Sequence, residues 1–349
     1  MPRRIPVSDA TPQKFMLSNH NLGLDLMRAT EAAALAAARW AGRGQKETGD
    51  GAAVGAMREV LSHIRIDGTI VIGEGEKDEA PMLANGEKVG NGDGPAMDIA
   101  VDPVDGTRLL AWGMRNSIAL LAGAEGGSMY NPKECFYMEK LAVGADAADA
   151  IDLRAPIGEN IRKVAKAKGK PVDQITVGVL NRDRHQQLIA DIRDAGAATR
   201  LFTDGDVAAA VMAAHPDMPR LDMMAGIGGS PEGVVTACAM KALGGRILAR
   251  LWPTSDEERQ RTLDAGHDLD RILDTGDLVT SDQTLFVATG ITPGDLVEGV
   301  SFLPDGGART HSIVMRSASG TIRYVDAYHH LDKVEEYQRR HEVAGIDWK

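Results

Sequence analysis

The sequence is poor in cysteine and in aromatic residues, and it contains no long apolar run. Two cysteines among 349 residues, Cys135 and Cys238, form no CxxC pair, which argues against a disulfide-stapled scaffold and against a zinc ribbon. No apolar stretch approaches about 18 residues, and none follows the two arginines of residues 1–6, so we expect neither a membrane span nor an export signal. These absences predict a cytoplasmic protein without a membrane partner.

Positive charge is also scarce. The chain has 39 Lys and Arg against 50 Asp and Glu, which gives a formal net charge of −11. Proteins that bind the phosphate backbone of nucleic acids usually carry the opposite sign, so nucleic acid is not an expected partner. Small phosphorylated substrates are not excluded, because a divalent cation can reverse the local charge of an acidic cluster. The length favours two packed lobes, which we place at residues 15–150 and 151–349.

The first of these lobes is predicted to combine helices with one sheet. A run rich in Ala and Leu predicts a helix over 22–41, and apolar spacings of three and four predict a second helix that is capped by Asp50 and ends near His63. Strands of a single sheet are expected at 69–72, 97–101, 117–122 and around 137–143.

After residue 150 the pattern alternates between helix and strand, which is typical of an α/β lobe. Helices are expected around 160–168, 184–194, 206–214 and 233–243, and strands at 175–180, 200–203, 221–225, 283–289, 311–316 and 321–327. The charged segment 256–274 predicts a solvated helix.

The segment DPVDGT, residues 102–107, is the sharpest chemical feature of the chain. It follows the apolar strand MDIAV, so a turn at Pro103 could aim Asp102 and Asp105 into one pocket. Gly106 would let the backbone approach a ligand, and the Thr107 hydroxyl could orient a water molecule. An ordinary Asp-Pro turn is the alternative interpretation.

A second acidic loop, GEGE at residues 73–76, also follows an apolar strand. By itself it fits a solvated loop, but its Glu74 belongs to a set of acids at predicted strand ends or helix starts, all but Asp102 directly beside a glycine: Asp50, Glu74, Asp102, Asp105 and Glu232. Two carboxylates about 4 Å apart repel by roughly 4 kcal/mol at an effective dielectric near 20, so convergence of the set would require cations. Oxygen ligands without clustered His or Cys favour Mg²⁺ or Mn²⁺ over Zn²⁺.

Two further polar segments follow strands and open helices. Residues 182–184, Arg-Asp-Arg, could hold a phosphate with their guanidinium groups, although a solvated loop is equally consistent with the pattern. In the segment Asp204-Gly205-Asp206, Asp206 could be a helix N-cap while Asp204 accepts hydrogen bonds from sugar hydroxyls. The glycine-rich turn GIGGSPEG, residues 226–233, lacks both the lysine of a P-loop and the spacing of a dinucleotide fingerprint.

Seven segments in the same order resemble the class II fructose-1,6-bisphosphatases, within the magnesium-dependent, lithium-sensitive phosphatase superfamily. They are TGDGAAVGAMR, DGTIVIGEGEKDEAPML, DIAVDPVDGT, YMEKL, DGDVAAA, GIGGSPEGV and ATGITPGDLVEGV. The resemblance implies a layered α-β-α-β-α sugar-phosphatase fold of two lobes with the metal site between them. It also implies hydrolysis of D-fructose 1,6-bisphosphate to fructose 6-phosphate and phosphate by metal-activated water, in gluconeogenesis.

Site residues carried over from this resemblance fall into three groups. The implied metal ligands, for two or more Mn²⁺ or Mg²⁺ ions, are Asp50, Glu74, Asp102, Asp105 and Glu232. The implied catalytic residues are Thr107, Asp50 and Glu74. The implied substrate contacts are Asp105, Gly106, Thr107, Tyr137, Arg182, Asp183, Arg184, Asp204, Gly205, Asp206 and Gly229. A homodimer or homotetramer is implied as well.

The chain departs from some relatives at two positions. Asp105 stands where some class II members have Glu, which moves the carboxylate by about one methylene, and Arg182 stands where some have Lys. A sedoheptulose-1,7-bisphosphatase or a dual-specificity bisphosphatase is the alternative within enzymes. From another class, a catalytically silent sugar-phosphate or metal sensor is the alternative, although it would have no need of the Thr107 hydroxyl.

Overall fold

The computed structural model describes residues 21–73, 83–218 and 221–333. The α-helices in these ranges are α1 (Leu22–Ala38), α2 (Lys46–Ser62), α3 (Thr107–Trp112), α4 (Ile157–Lys168), α5 (Gln186–Asp194), α6 (Asp206–Ala214), α7 (Ser230–Leu243), α8 (Asp256–Asp264) and α9 (Thr275–Leu278). The strands are β1 (Asp67–Ile72), β2 (Lys88–Val89), β3 (Ala96–Asp105), β4 (Ile118–Glu125), β5 (Tyr137–Val143), β6 (Thr176–Leu180), β7 (Ala198–Phe202), β8 (Met223–Gly229), β9 (Arg246–Leu251), β10 (Leu273–Asp274), β11 (Thr284–Gly290), β12 (Ser301–Phe302), β13 (Gly307–Arg316) and β14 (Thr321–His330). None of the helices in these ranges combines the length and the apolar character needed to cross a bilayer.

The strands form two mixed sheets. The first has the order β12-β13-β11-β4-β3-β1-β2, with β14 paired to β13, and the second has the order β10-β9-β5-β8-β6-β7. The first sheet therefore combines strands from both ends of the chain, and its membership does not follow a single division near residue 150. The two predicted lobes, 15–150 and 151–349, stay a prediction as folding units.

Helices cover both faces of each sheet, which produces five layers. One face of the first sheet buries Ile99 and Leu121 against α1 and α2, and the opposite face buries Leu120 against α6 and α7. Those two helices also cover the second sheet, whose far side buries Val177 and Val179 against α4 and α5. The layer order is α-β-α-β-α, which confirms the predicted fold class.

Helices α6 and α7 owe their central position to small side chains. All nine residues of α6 are buried, as are ten of the fourteen residues of α7. A helix that is apolar on every side belongs in an interior, and the Ala-rich sequences DVAAAVMAA and SPEGVVTACAMKAL let two sheets approach it closely. The acids in these helices, Asp206 and Glu232, lie in the first turns, where the helix dipole favours negative charge.

Two helix starts differ from the sequence prediction. Helix α2 begins at Lys46 rather than at Asp50, because the good helix formers Lys46 and Glu47 extend it by one turn. Asp50 is therefore buried inside the helix and does not cap it. Helix α6 is capped by Gly205 in a left-handed conformation (φ 82°), so the prediction of Asp206 as N-cap is also wrong.

Sheet membership and two segments of the second half also differ from the prediction. β5 was expected in the first sheet, but it pairs with β8 and β9 in the second. An apolar pattern determines which face of a strand is buried, but it does not determine which other strand pairs with it. The helix expected over 256–274 ends at Asp264, and β9 was not foreseen.

One carboxyl group is buried between α1 and the first sheet. Glu31 is 7% exposed, and its Oε1 accepts a hydrogen bond from the Thr310 hydroxyl at 3.2 Å. The same hydroxyl shares a hydrogen bond of 2.8 Å with His329 Nε2. Burial raises the pKa of Glu31 from 4.5 to about 7, against the opposing effects of the Thr310 hydrogen bond and of Arg28.

This pKa predicts that stability depends on pH through Glu31. Since the folded protein holds the proton up to about pH 7 and the unfolded chain releases it near 4.5, the free energy of unfolding falls as the pH rises between these values. The Gln side chain does not titrate, so Glu31→Gln should not lose this stability. The difference in free energy of unfolding between Glu31→Gln and the wild type should therefore shift in favour of the variant by about 3 kcal/mol from pH 4.5 to pH 8. Urea unfolding at both pH values measures the difference. The exposed Glu134→Gln should show no such gain, and an equal response of the two variants would contradict the prediction.

Candidate active site

A bulge in β3 brings Asp102 and Asp105 to one face of the first sheet. Asp102 pairs with Leu120 and Asp105 with Ile118, so three steps along β3 match two steps along β4. In a regular strand, residues three apart point to opposite faces, and the extra residue of the bulge restores both acids to the buried face of Leu120. The predicted turn at Pro103 is therefore wrong: the strand continues to Asp105.

The backbone turns one residue later. Gly106 adopts a left-handed conformation (φ 87°), which glycine tolerates, and Thr107 begins α3 immediately after it. Asp102 is held locally, because its Oδ1 accepts a hydrogen bond from the amide of Val104 at 3.0 Å. DPVDGT thus delivers two acids from a strand and a half-buried threonine from the following helix.

Asp102 and Glu232 line one small cavity of about 160 Å³ between the first sheet and α7. Gly73, at the end of β1, lies on its wall. Because β1 and β3 are parallel, their carboxyl ends meet at the same edge of the sheet. The predicted ligand Glu74 is the next residue along the chain and lies outside the described residues.

Asp105 and Glu232 are deeply buried, and they repel each other. Burial, followed by the charges of Glu232, Asp206 and Asp204, raises the pKa of Asp105 well above its usual range. Burial is also the main cause that raises the pKa of Glu232. Within the described part of the chain, Asp105 Oδ2 and Glu232 Oε2 are buried without a hydrogen-bond partner. Buried carboxylate oxygens of this kind fit a hard divalent cation.

A buried lysine stands among these acids. The side chain of Lys140, on β5, is fully buried, forms an ion pair with Asp206, and donates a hydrogen bond from Nζ to the carbonyl oxygen of Gly229 at 2.9 Å. Its charge also lowers the pKa of Asp105 and of Glu232. Lys140 is thus a buried basic partner inside the acidic cluster.

The sequence analysis missed Lys140, although strand periodicity contains a signal for it. In YMEKLAV, Lys140 shares a strand face with Met138 and Ala142, and both of these apolar residues are buried. A lysine at an inward position of a buried strand requires an acidic partner.

Two glycines of β8 make room for the acids. A Cβ atom added to Gly229 would lie 1.8 Å from Glu232 Oε2, and one added to Gly228 would lie 1.8 Å from Asp206 Oδ2. Gly205 has more space, since a Cβ there would lie 3.4 Å from Asp105 Oδ2. The glycine-rich segment therefore allows carboxylates to approach the backbone.

Arginines surround the outer side of this cluster. Arg182 forms an ion pair with Asp204, and Arg108 donates to both oxygens of the same carboxylate, from Nε at 3.1 Å and from Nη2 at 3.0 Å. Arg184 donates to the carbonyl oxygen of Ile227 at 2.8 Å and lies over the Tyr137 ring, 5.0 Å from its centre. Arg108 was not among the predicted site residues.

His185 anchors the arginine turn to β8. Its Nδ1 lies 2.7 Å from the carbonyl oxygen of Leu180, and its Nε2 accepts a hydrogen bond from the amide of Ile227 at 2.7 Å. Burial, with smaller effects from Arg184 and Arg182, lowers the pKa of His185. A neutral ring that donates from Nδ1 and accepts at Nε2 fits both contacts.

The structure connects several of the predicted residues to one another. The connected set is Asp105, Tyr137, Arg182, Arg184, Asp204, Gly205, Asp206, Gly229 and Glu232, each joined to another member or to Lys140 by a contact or by its charge. Asp102 lines the small cavity together with Glu232, Asp50 is buried in α2, which packs against β3 and α3, and Asp183 is exposed. Among the residues that the structure describes, no three His, Cys, Asp or Glu side chains form a ready metal site. The metal and substrate roles stay predictions.

The buried ion pair leads to a stability prediction. Lys140→Met keeps the length of the side chain but leaves Asp206 buried without its counter-ion, so we expect the free energy of unfolding in EDTA to fall by about 3–5 kcal/mol. Urea unfolding measures the loss. Lys241→Met is the matched control, because its partner Asp282 is 94% exposed and exposed pairs contribute little. Equal losses in the two variants would show that the buried pair is unimportant.

The close approach of Gly229 to Glu232 gives a second prediction. Gly229→Ala should displace the Glu232 carboxylate and weaken Mn²⁺ binding about tenfold or more, as measured by titration calorimetry. Gly276→Ala is the control, since a Cβ there meets no atom within 4 Å. Wild-type Mn²⁺ affinity in Gly229→Ala would mean that Glu232 does not contribute to a metal site.

Comparison with known proteins identifies the family of the chain. The family model described as bacterial fructose-1,6-bisphosphatase, glpX-encoded, matches residues 20–329. The chain is 45% identical over 333 residues to fructose-1,6-bisphosphatase 1 class 2 of Escherichia coli K12, which covers 92% of this chain and 98% of that protein. The class 2 fructose-1,6-bisphosphatases of E. coli O6:H1 and Shigella flexneri match over the same shares at the same identity. The resemblance seen in the sequence is confirmed: the chain belongs to the glpX-encoded family of bacterial fructose-1,6-bisphosphatases.

Proposed function

We propose that this protein hydrolyses the 1-phosphate of D-fructose 1,6-bisphosphate, giving fructose 6-phosphate and phosphate, in gluconeogenesis. The observation that carries the proposal is a pair of buried carboxylate oxygens, one of Asp105 and one of Glu232, that have no hydrogen-bond partner in the described part of the chain. Beside them lies the arginine rim, which consists of Arg108, Arg182 and Arg184. A site that is anionic inside and cationic outside suits a phosphate ester bound through cations. The names of the relatives favour the fructose over the sedoheptulose bisphosphate.

The donor set supports Mg²⁺ or Mn²⁺ as the cofactor, with two or more ions per site. The proposed ligands are Asp50, Glu74, Asp102, Asp105 and Glu232. When bound, such cations neutralise charge on the phosphoryl oxygens and make a water molecule more acidic. The Asp105 side chain is shorter than the Glu that some relatives have at this position. We therefore expect the preference between Mg²⁺ and Mn²⁺ to differ from theirs.

The protein's own groups would position the reactants. Thr107, half-buried at the start of α3 and two residues after Asp105, would orient the attacking water with its hydroxyl. Gly106 permits the left-handed turn between β3 and α3 that places this threonine. Arg182 and Arg184 would bind the distal phosphate, because their guanidinium groups stand on the outer side of the acids.

The remaining polar residues would play supporting parts. Asp206 is already paired with Lys140, so its role would be to hold that lysine, while Asp204, which is 21% exposed, would accept hydrogen bonds from sugar hydroxyls. Catalytic participation of Asp50 and Glu74 belongs to the same proposal. A cytoplasmic location is supported by two buried cysteines that form no disulfide, and assembly as a homodimer or homotetramer is part of the same proposal.

The proposed function predicts metal-dependent phosphate release. With Mn²⁺ or Mg²⁺ the wild-type protein should release phosphate from fructose 1,6-bisphosphate, and EDTA should abolish the release. Thr107→Ala should lower kcat at least tenfold while KM changes by less than about threefold, because the hydroxyl acts on the attacking water rather than on the bound sugar.

Thr321→Ala serves as the control, since Thr321 lies on β14 and donates its hydroxyl to the Ser319 carbonyl. It should keep the kcat of the wild type. A folded, metal-loaded wild-type protein that releases no phosphate would overturn the substrate assignment. Unchanged kcat in Thr107→Ala would overturn the role of the hydroxyl alone.

A further inference from the structure

The geometry points to a substrate-binding residue that neither the sequence nor the family assignment supplied. We propose that Arg108 binds the distal phosphate of the substrate together with Arg182, and so helps the enzyme to select a bisphosphate over a monophosphate. This inference rests on the proposed function, since it concerns the same site.

Two guanidinium groups converge on one carboxylate. Arg108 Nη2 and Arg182 Nη2 both donate to Asp204 Oδ1, and Arg108 Nε donates to Oδ2 at 3.1 Å. Since they share an acceptor atom, the two cations are immediate neighbours. Two adjacent guanidinium groups against one carboxylate leave a net positive charge, and their planar forks match the oxygens of a phosphate.

Arg108 is available to a ligand while it holds Asp204. Its side chain is 43% exposed, against 23% for Arg182 and 21% for Asp204. A guanidinium group has five N–H donors, and the two bonds to Asp204 leave Nη1 and the second proton of Nη2 for another acceptor. Substrate binding would therefore not require the ion pair to break.

The position of Arg108 in the chain connects it to the reacting end of the substrate. Arg108 directly follows Thr107 in α3, and successive helical residues point about 100° apart. Thr107 can therefore face the attacking water while Arg108 turns aside towards Asp204. The charge of Asp204 raises the pKa of Asp105, so the arginine pair stands close to the acidic cluster and not on a remote surface.

Arg184 occupies a different position on the rim. Its Nε and Nη2 both donate to the carbonyl oxygen of Ile227, and its guanidinium group covers the Tyr137 ring. These contacts fix Arg184 against β8 and β5. Arg108 is thus the guanidinium group that shares an anion with Arg182.

The test compares two substrates that differ only in the distal phosphate. Fructose 1-phosphate presents the same reacting end as fructose 1,6-bisphosphate without the 6-phosphate. Arg108→Met should raise KM for the bisphosphate about tenfold and should change kcat/KM for fructose 1-phosphate by less than about twofold. Arg108→Lys keeps the charge but loses the fork, so its KM for the bisphosphate should lie between those of the wild type and the Met variant.

Arg115→Met is the matched control. Arg115 is 62% exposed, and its Nη2 lies 3.9 Å from Asp295 Oδ1 and donates to the Gly294 carbonyl oxygen at 3.4 Å. Arg115→Met should leave KM for the bisphosphate and kcat/KM for fructose 1-phosphate unchanged. A circular dichroism spectrum and a thermal midpoint like those of the wild type establish that each variant is folded.

Two results would overturn the role of Arg108: unchanged KM for the bisphosphate in Arg108→Met, or equal losses on both substrates, which would indicate general damage to the site. Binding of fructose 6-phosphate, measured by calorimetry, separates this inference from the proposed function. If the wild type binds fructose 6-phosphate but hydrolyses neither ester, the function fails, and a lower affinity of Arg108→Met still supports the inference. If the wild type does not bind fructose 6-phosphate, the inference fails as well.

Discussion

The ion pair between Lys140 and Asp206 is the interaction on which the centre of the molecule depends. It joins β5 of the second sheet to the first turn of α6, at a place where Asp105 and Glu232 also enter the interior. Without a cation, three buried carboxylates would repel one another in a low dielectric. Lys140 is the buried basic partner of these acids, and under the proposed function divalent cations would offset the charge of the others.

The five-layer architecture makes this cluster possible. Helices α6 and α7 lie between two sheets, and their first turns carry Asp206 and Glu232 to the edge of the first sheet where β3 delivers Asp102 and Asp105. Small side chains in the helices and the glycines of β8 provide the space, since a methyl group at Gly228 or Gly229 would overlap a carboxylate oxygen. Fold and site therefore share the same requirement for small residues.

Much of this could be predicted from the sequence, and the failures have physical causes. Local periodicity located most helices and strands, and family motifs supplied the acids. The placement of β5 in the second sheet was missed because strand partners depend on distant segments. The bulge at Asp102–Asp105 was interpreted as a turn, since an Asp-Pro pair fits both. Arg108 and Lys140 were overlooked because a charged residue is exposed by default, and only the folded structure reveals their acidic partners.

The distribution of charge explains how such a site can distinguish its ligands. The interior, with Asp105, Glu232 and Asp206 beside Lys140, is rich in carboxyl groups, so under the proposed function it would bind a phosphate through cations. The rim, with Arg108 and Arg182 against Asp204, is cationic without any metal. A ligand with one anionic end can satisfy either region but not both. A bisphosphate can bind to both regions at once. Binding energy from the distal phosphate can then position the reacting phosphate over the acids. Removal of the metal should abolish binding of the reacting phosphate and leave binding of the distal phosphate to the arginines.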